Sequence, residues 1–76
     1  MTLNEFKLLP EQEQYRKLFN DGEFIIYRLE PNAKFALYVL EKFFVEVEYK
    51  TDSNKIVKKI IFESGKKLDL YSNWNT

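Results

Sequence analysis

The fold of this chain is decided by one stretch of sequence, FALYVLEKFFVEVEYK, which occupies residues 35–50. Aromatic and β-branched residues fill both ends of the stretch and only Glu41-Lys42 separates them, which predicts two strands joined by a tight hairpin. A two-residue turn sets the pairing: Leu40 with Phe43, Tyr38 with Val45, and Ala36 with Val47. Because Glu41-Lys42 lacks the glycine or asparagine that such turns favour, a three-residue loop with a shifted register stays open as an alternative.

Two more strand-like runs lie on either side of this hairpin. Runs of aromatic and β-branched residues predict strands at residues 24–29, 35–40, 43–50 and 55–63. The segments between them are too short to hold a crossover helix, so consecutive strands are expected to pair antiparallel. The sequence therefore predicts a four-stranded antiparallel β-meander.

Helical signals precede the predicted sheet. Thr2 and Glu5 have the spacing of a capping box, which predicts a helix that begins at Leu3. Pro10 disrupts the helix before it and suits the first turn of a new one, so a second helix is predicted over 10–19. The N-terminal helix is therefore expected to be kinked or split near Pro10.

A short C-terminal helix is predicted at residues 66–71, after Ser64-Gly65. The predicted fold class is α+β: an N-terminal helix, the β-meander and this short C-terminal helix, in a single domain spanning 1–76. A chain of 76 residues has room for one hydrophobic core.

Alternation along the predicted strands divides their side chains between two faces of the sheet. The face expected beneath the N-terminal helices carries Phe24, Ile26, Ala36, Tyr38, Leu40, Phe43, Val45, Val47, Tyr49, Ile56, Ile60 and Phe62. The opposite face is expected to carry Ile25, Tyr27, Leu29, Phe35, Leu37, Val39, Phe44, Val57 and Ile61, with Glu46, Glu48 and Lys59. A sheet face exposed to water would carry mainly polar residues, so another segment of the chain or another protein molecule is expected to cover this apolar face.

Three occupants of the opposite face follow from the sequence. The C-terminal segment offers apolar side chains that can fold back over it: Leu68, Leu70, Tyr71 and Trp74. A second copy of the chain can pack sheet on sheet, which makes a homodimer, and a different protein is the third possibility. The residues predicted to form an interaction face are Tyr27, Leu29, Phe35, Leu37, Val39 and Phe44.

Composition excludes several kinds of chemistry. The chain has no Cys and no His, so disulfides, thiolate nucleophiles and His-dependent catalytic triads are excluded. Its two glycines, Gly22 and Gly65, stand apart, so no phosphate-binding glycine loop is present and no cofactor is expected. Its beginning lacks the features of a signal peptide and no long apolar run is present, so we expect a cytoplasmic protein that does not enter a membrane.

Paired carboxylates are the remaining catalytic alternative. Glu46 and Glu48 are two residues apart on a predicted strand, which puts both on one face roughly 7 Å apart, a spacing that suits an acid and a base. The favoured interpretation is structural, because the predicted register sets Glu46 opposite Lys59 as a cross-strand ion pair. Residues 51–54 superficially resemble a calcium loop but lack its glycine and distal Glu, so a hairpin turn is predicted there.

Lysines near the C-terminus raise a second alternative. Lys58, Lys66 and Lys67 lie close to aromatic residues, and such lysines bind the phosphates of nucleic acids. The formal net charge of the chain is zero, so nucleic acid binding is not the favoured interpretation and solvated edge lysines explain the pattern.

Four segments carry a resemblance to known proteins: residues 2–14 (TLNEFKLLPEQEQ), 22–27 (GEFIIY), 37–38 (LY) and 43–47 (FFVEV). In these segments the chain resembles a group of small uncharacterised bacterial single-domain proteins of unknown function. The matching positions begin helices or lie in the predicted core, so the resemblance implies an α+β fold and implies no activity. The function expected from the sequence is therefore a non-enzymatic protein-interaction module.

Overall fold

Two helices and one antiparallel sheet make up residues 1–63, the part of the chain that the computed structural model describes. The elements are α1 (Leu3–Leu8), α2 (Glu11–Asp21), β1 (Glu23–Glu30), β2 (Ala33–Leu40), β3 (Phe43–Lys50) and β4 (Ile56–Phe62). The four strands lie side by side in chain order, which confirms the predicted α+β meander. The helix predicted at 66–71 lies outside the described residues. Neither α1 nor α2 is long and apolar enough to cross a membrane.

Helix α1 begins with the predicted capping box. The Glu5 N–H donates to the Thr2 hydroxyl at 3.1 Å, and the Thr2 N–H donates to the Glu5 carboxylate at 2.7 Å. The hydrogen bonds to Thr2 lower the pKa of Glu5 because they stabilise its ionised form. The predicted break before Pro10 is confirmed, although Pro10 caps α2 rather than opening it, and α2 continues to Asp21.

Gln14 holds the two helices at a fixed angle. Its side-chain Nε2 lies 3.2 Å from the Phe6 carbonyl oxygen, 3.3 Å from that of Lys7 and 3.1 Å from that of Leu9. These carbonyls lie at the end of α1 and at its cap residue Leu9, where helical N–H donors run out, although the Phe6 oxygen also accepts from the Leu9 N–H at 3.1 Å. The side-chain amide of Gln14, in the first turns of α2, therefore donates hydrogen bonds to carbonyl groups at the end of α1.

Replacing Gln14 by Met should destabilise the protein by about 1–3 kcal/mol, because the carbonyl groups at the end of α1 lose the hydrogen bonds from the Gln14 amide while the side-chain volume is kept. Urea unfolding followed by circular dichroism measures the change. The matched control is Gln12→Met in the same helix, where the side chain is exposed and the expected change is within about 0.5 kcal/mol. Equal effects at the two positions would show that the Gln14 hydrogen bonds contribute nothing.

The core lies between the two helices and one face of the sheet, here called the helix face. Its buried members come from α1, α2, β2 and β3: Phe6, Leu18, Leu40, Phe43, Val45 and Val47. The rings of Phe6 and Phe43 are 5.3 Å apart, which joins α1 to the start of β3. The predicted pairing of β2 with β3 is confirmed at every position, so the three-residue alternative for the Glu41-Lys42 turn is wrong. Glu41 has a φ of 59°, the conformation for which such turns favour glycine.

A β-bulge in each edge strand overturns part of the predicted face assignment. In β1, Phe24 pairs with Tyr38 but Ile26 pairs with Leu37, so Ile25 is an extra residue without a partner in the register. Each bulge reverses the faces of the residues that follow it. Ile26, predicted beneath the helices, therefore lies on the opposite face, and Tyr27 and Leu29 lie on the helix face.

The bulge in β4 acts in the same way. Tyr49 pairs with Ile56 and Glu48 with Lys58, which leaves Val57 as the extra residue. Beyond it, Lys59 and Ile61 lie on the helix face, whereas Ile60 and Phe62 lie on the opposite one, and both assignments reverse the prediction. The face away from the helices, here called the second face, therefore carries Ile26, Arg28, Phe35, Leu37, Val39, Phe44, Glu46, Glu48, Lys58, Ile60 and Phe62.

Candidate functional site

The six residues predicted to form one interaction face are divided between two surfaces. Four of them share the second face: Phe35, Leu37, Val39 and Phe44. The other two, Tyr27 and Leu29, project from β1 on the helix face because of the bulge at Ile25.

The first surface is an exposed apolar patch on the helix face of β1. We call it the edge patch and define it by four residues: Phe19, Phe24, Tyr27 and Leu29. Leu29 is 72 % exposed, Tyr27 51 %, Phe19 45 % and Phe24 44 %. Strand β1 is an edge of the sheet, and the packing of α2 leaves these side chains open to solvent.

Ring contacts join the three aromatic members of the edge patch, and Leu29 lies two residues beyond Tyr27 on the same face of β1. The ring of Phe24 lies 4.6 Å from that of Tyr27 and 5.7 Å from that of Tyr38. Phe19, at the end of α2, packs edge-on against the same Tyr38 ring at 5.7 Å. These pairs fix the orientation of the aromatic side chains, so a partner that binds here meets a surface whose shape already exists.

Tyrosine and lysine side chains border the edge patch. The Lys34 Nζ lies 4.8 Å from the ring centroid of Tyr27 and 5.5 Å from that of Tyr49. Burial, with a smaller contribution from the neighbouring Tyr38, raises the pKa of Tyr49 to about 12. The Tyr49 hydroxyl is therefore neutral at physiological pH and cannot act there as a base.

The centre of the second face holds a buried ion pair. Glu46 is 1 % exposed, and its carboxylate lies 3.4 Å from Nη2 of Arg28. Nη1 of Arg28 donates to Glu30 at 2.7 Å, and the guanidinium lies 4.1 Å from the ring centroid of Phe35. Arg28 was not among the residues predicted to form a site, because its strand is separated from that of Glu46 by β2 and the bulge in β1 determines its face.

The predicted cross-strand pair of Glu46 with Lys59 is wrong. Ile60 lies opposite Glu46. Lys59 lies beneath α2, where its Nζ is 4.4 Å from the Tyr15 ring centroid and 4.0 Å from the Glu11 carboxylate. The register places Glu46 and Glu48 on the same face, as predicted, with Lys58 opposite Glu48.

Surface depressions occur beside two turns of the described residues. A depression of about 380 Å³ lies beside the turn between β1 and β2, and one of about 330 Å³ lies between the N-terminus and the Glu41-Lys42 turn. Neither is lined by Glu46 or Glu48. Within residues 1–63 no group of three or more acidic side chains could hold a metal ion.

The loop compared with a calcium site forms a hairpin turn. The Lys50 N–H donates to the Lys55 carbonyl at 2.9 Å, and the Asn54 N–H donates to the Lys50 carbonyl at 2.8 Å. Of the lysines considered for nucleic acid binding, Lys58 is exposed on β4, and Lys66 and Lys67 lie outside the described residues.

Comparison with known proteins gives no functional assignment. No family model, no curated protein and no solved structure matches the chain significantly.

Proposed function

We propose that this protein is a non-enzymatic protein-interaction domain whose edge patch packs against the edge patch of a second copy. The observation that carries the proposal is the exposure of four large apolar side chains on one face of β1 and the neighbouring end of α2. Continuous apolar patches on small proteins commonly mark interaction sites, whereas single exposed apolar residues do not.

A second copy is the occupant that the composition of the chain favours. The formal net charge is zero, so two copies do not repel each other as they approach. Lys34 borders the edge patch, with its Nζ 4.8 Å from the ring centroid of Tyr27. A two-fold axis brings identical patches together, so the apolar side chains of one copy meet those of the other.

Side chains, rather than strand pairing, are the basis of this contact. The bulge at Ile25 interrupts the regular edge of β1, and bulges of this kind discourage the addition of another strand. The four side chains offer on the order of 400 Å² per copy at typical residue areas, so the dimer would bury about 800 Å². Interfaces of this size are weak and transient, so we expect dissociation constants in the micromolar range.

Light scattering on a sizing column should give a mass that rises with protein concentration between about 10 and 100 µM. Leu29→Lys should raise the dissociation constant roughly 100-fold, because each copy loses about 1.5 kcal/mol of apolar burial and the contact occurs twice. The matched control is Leu8→Lys on α1, since Leu8 is 84 % exposed and lies outside the edge patch.

Leu8→Lys should leave the dissociation constant unchanged. A wild-type protein that is monomeric throughout the concentration range would overturn the proposed self-association. Equal weakening by Leu8→Lys and Leu29→Lys would show that the two copies do not meet at the edge patch. Circular dichroism of both variants should match the wild type, because each substitution lies on an exposed side chain.

A further inference from the structure

One row of side chains on the helix face combines an apolar residue, an ammonium group and an aromatic ring. The register pairs Leu29 of β1 with Lys34 of β2, and Lys34 with Tyr49 of β3. Residues directly opposite each other in an antiparallel pair project side by side, with Cβ atoms about 5 Å apart. Leu29 is 72 % exposed, so the row is open to solvent at its β1 end.

Two aromatic rings position the ammonium group of Lys34. Its Nζ lies 4.8 Å from the ring centroid of Tyr27 and 5.5 Å from that of Tyr49. Ammonium groups are attracted to the faces of aromatic rings, which restricts the positions of this flexible side chain. A ligand that pairs with Lys34 therefore loses less of its binding free energy to ordering the lysine.

The charge of Lys34 is not neutralised within the part of the chain that the structure describes. None of the ion pairs formed among residues 1–63 includes Lys34. Lys59, which also lies over a tyrosine ring, has the Glu11 carboxylate 4.0 Å from its Nζ. Burial raises the pKa of Tyr49 to about 12, so its hydroxyl is uncharged at neutral pH and supplies no negative charge to Lys34.

We propose that Lys34 and Leu29 form a binding site for a small apolar carboxylate, of the class of the medium-chain fatty acids. The carboxylate pairs with Nζ of Lys34, and the apolar body lies over Leu29 and the ring of Tyr27, which is 51 % exposed. Lys34 brings one positive charge to the row, which matches one negative charge. Phosphate sites generally combine several cationic or backbone N–H donors.

Amide NMR spectra of the full chain test the site with octanoate as the probe. They are recorded at the lowest protein concentration of the light-scattering series, where the monomer is expected to be abundant. Octanoate should shift the signals of Leu29 and Lys34 with a dissociation constant on the order of 1 mM, as expected for a ligand of about ten non-hydrogen atoms. Acetate lacks the apolar body and 1-octanol lacks the charge, so each should bind roughly tenfold or more weaker.

Variants of two lysines show whether the charge of Lys34 carries the binding. Lys34→Gln should weaken octanoate binding roughly tenfold, because a charge-assisted hydrogen bond is lost. Lys34→Arg keeps the positive charge and should bind octanoate more tightly than Lys34→Gln does. The matched control Lys58→Gln removes an exposed lysine of β4 on the second face and should leave the dissociation constant unchanged. Circular dichroism checks that each variant is folded.

Octanoate should also compete with a second copy of the chain, because its site shares Tyr27 and Leu29 with the edge patch. Light scattering in saturating octanoate should then give the mass of a monomer throughout the concentration range. This expectation rests on the proposed self-association, whereas the NMR shifts do not. A wild-type protein that is monomeric without octanoate, and whose signals still shift with it, would remove the self-association and support the carboxylate site.

Four results would overturn the carboxylate site. Octanoate might shift no signal near Lys34, or 1-octanol might bind as tightly as octanoate, which would leave only apolar contact. Equal weakening by Lys34→Gln and Lys58→Gln would show an effect of overall charge. Tighter binding of octyl phosphate than of octanoate would show that the row selects phosphate instead.

Discussion

Phe43→Ala is expected to lower the free energy of unfolding by about 3–5 kcal/mol, because it removes an aromatic ring from a core that cannot collapse around the cavity. Phe43 is 1 % exposed and packs against Phe6, the residue that anchors α1 to the sheet. A chain of 76 residues is expected to have a total stability of about 4–11 kcal/mol. The variant should therefore lose a large part of its stability, and urea unfolding at one fixed protein concentration measures the loss.

The same substitution at Phe24 provides the control. Phe24 is 44 % exposed, so Phe24→Ala should cost about 1 kcal/mol. Similar losses at the two positions would mean that the protein does not depend on the contact between α1 and β3. Phe24→Ala should also weaken the proposed self-association, which Phe24 serves through the edge patch.

Arg28→Met is expected to lower the free energy of unfolding by about 3 kcal/mol, because a buried carboxylate loses the guanidinium beside it. Glu46 is 1 % exposed and Arg28 has a side chain that is 18 % exposed, so water replaces the lost partner poorly. Arg16→Met is the matched control. Arg16 lies 3.3 Å from Glu13 on the surface of α2 with 69 % of its side chain exposed, and its loss should change stability by no more than about 0.5 kcal/mol.

The double variant Arg28→Met, Glu46→Leu separates the ion pair from the packing around it. Removing both charged groups should restore most of the stability that Arg28→Met loses, since no buried charge is then left. Urea unfolding of the four members of this cycle gives the coupling energy directly. A double variant no more stable than Arg28→Met would show that the charge of Glu46 is not the cause of the loss.

Local sequence signals predicted most of the fold. The capping box of Thr2 and Glu5 and the break before Pro10 depend only on residues that are close in the chain, and both are confirmed. The pairing of β2 with β3 was predicted at every position because the short turn and the apolar pattern specify the same register. The hydrogen bonds from Gln14 to the end of α1 were not predicted, because nothing in the local sequence distinguishes a glutamine whose side chain bonds to an earlier helix.

The candidate site was harder to predict, and the edge strands show why. In β1, Phe24 to Tyr27 are apolar at four successive positions, so no polar residue indicates where a bulge falls. In β4, Ile56-Val57, Lys58-Lys59 and Ile60-Ile61 come in like pairs, so either register suits the pattern equally well. One extra residue in each strand moved Tyr27, Leu29 and Lys59 to the helix face.

The sequence by itself determined the order and type of the elements among residues 1–63, because turns, caps and strand propensity act over a few residues. Tertiary structure alone decided the partner of Glu46, the exposure of the edge patch and the burial of Leu37. Each of these depends on which face a side chain occupies, and a face is set by contacts between strands rather than within one. A bulge of one residue changes those contacts without changing the secondary structure on either side of it.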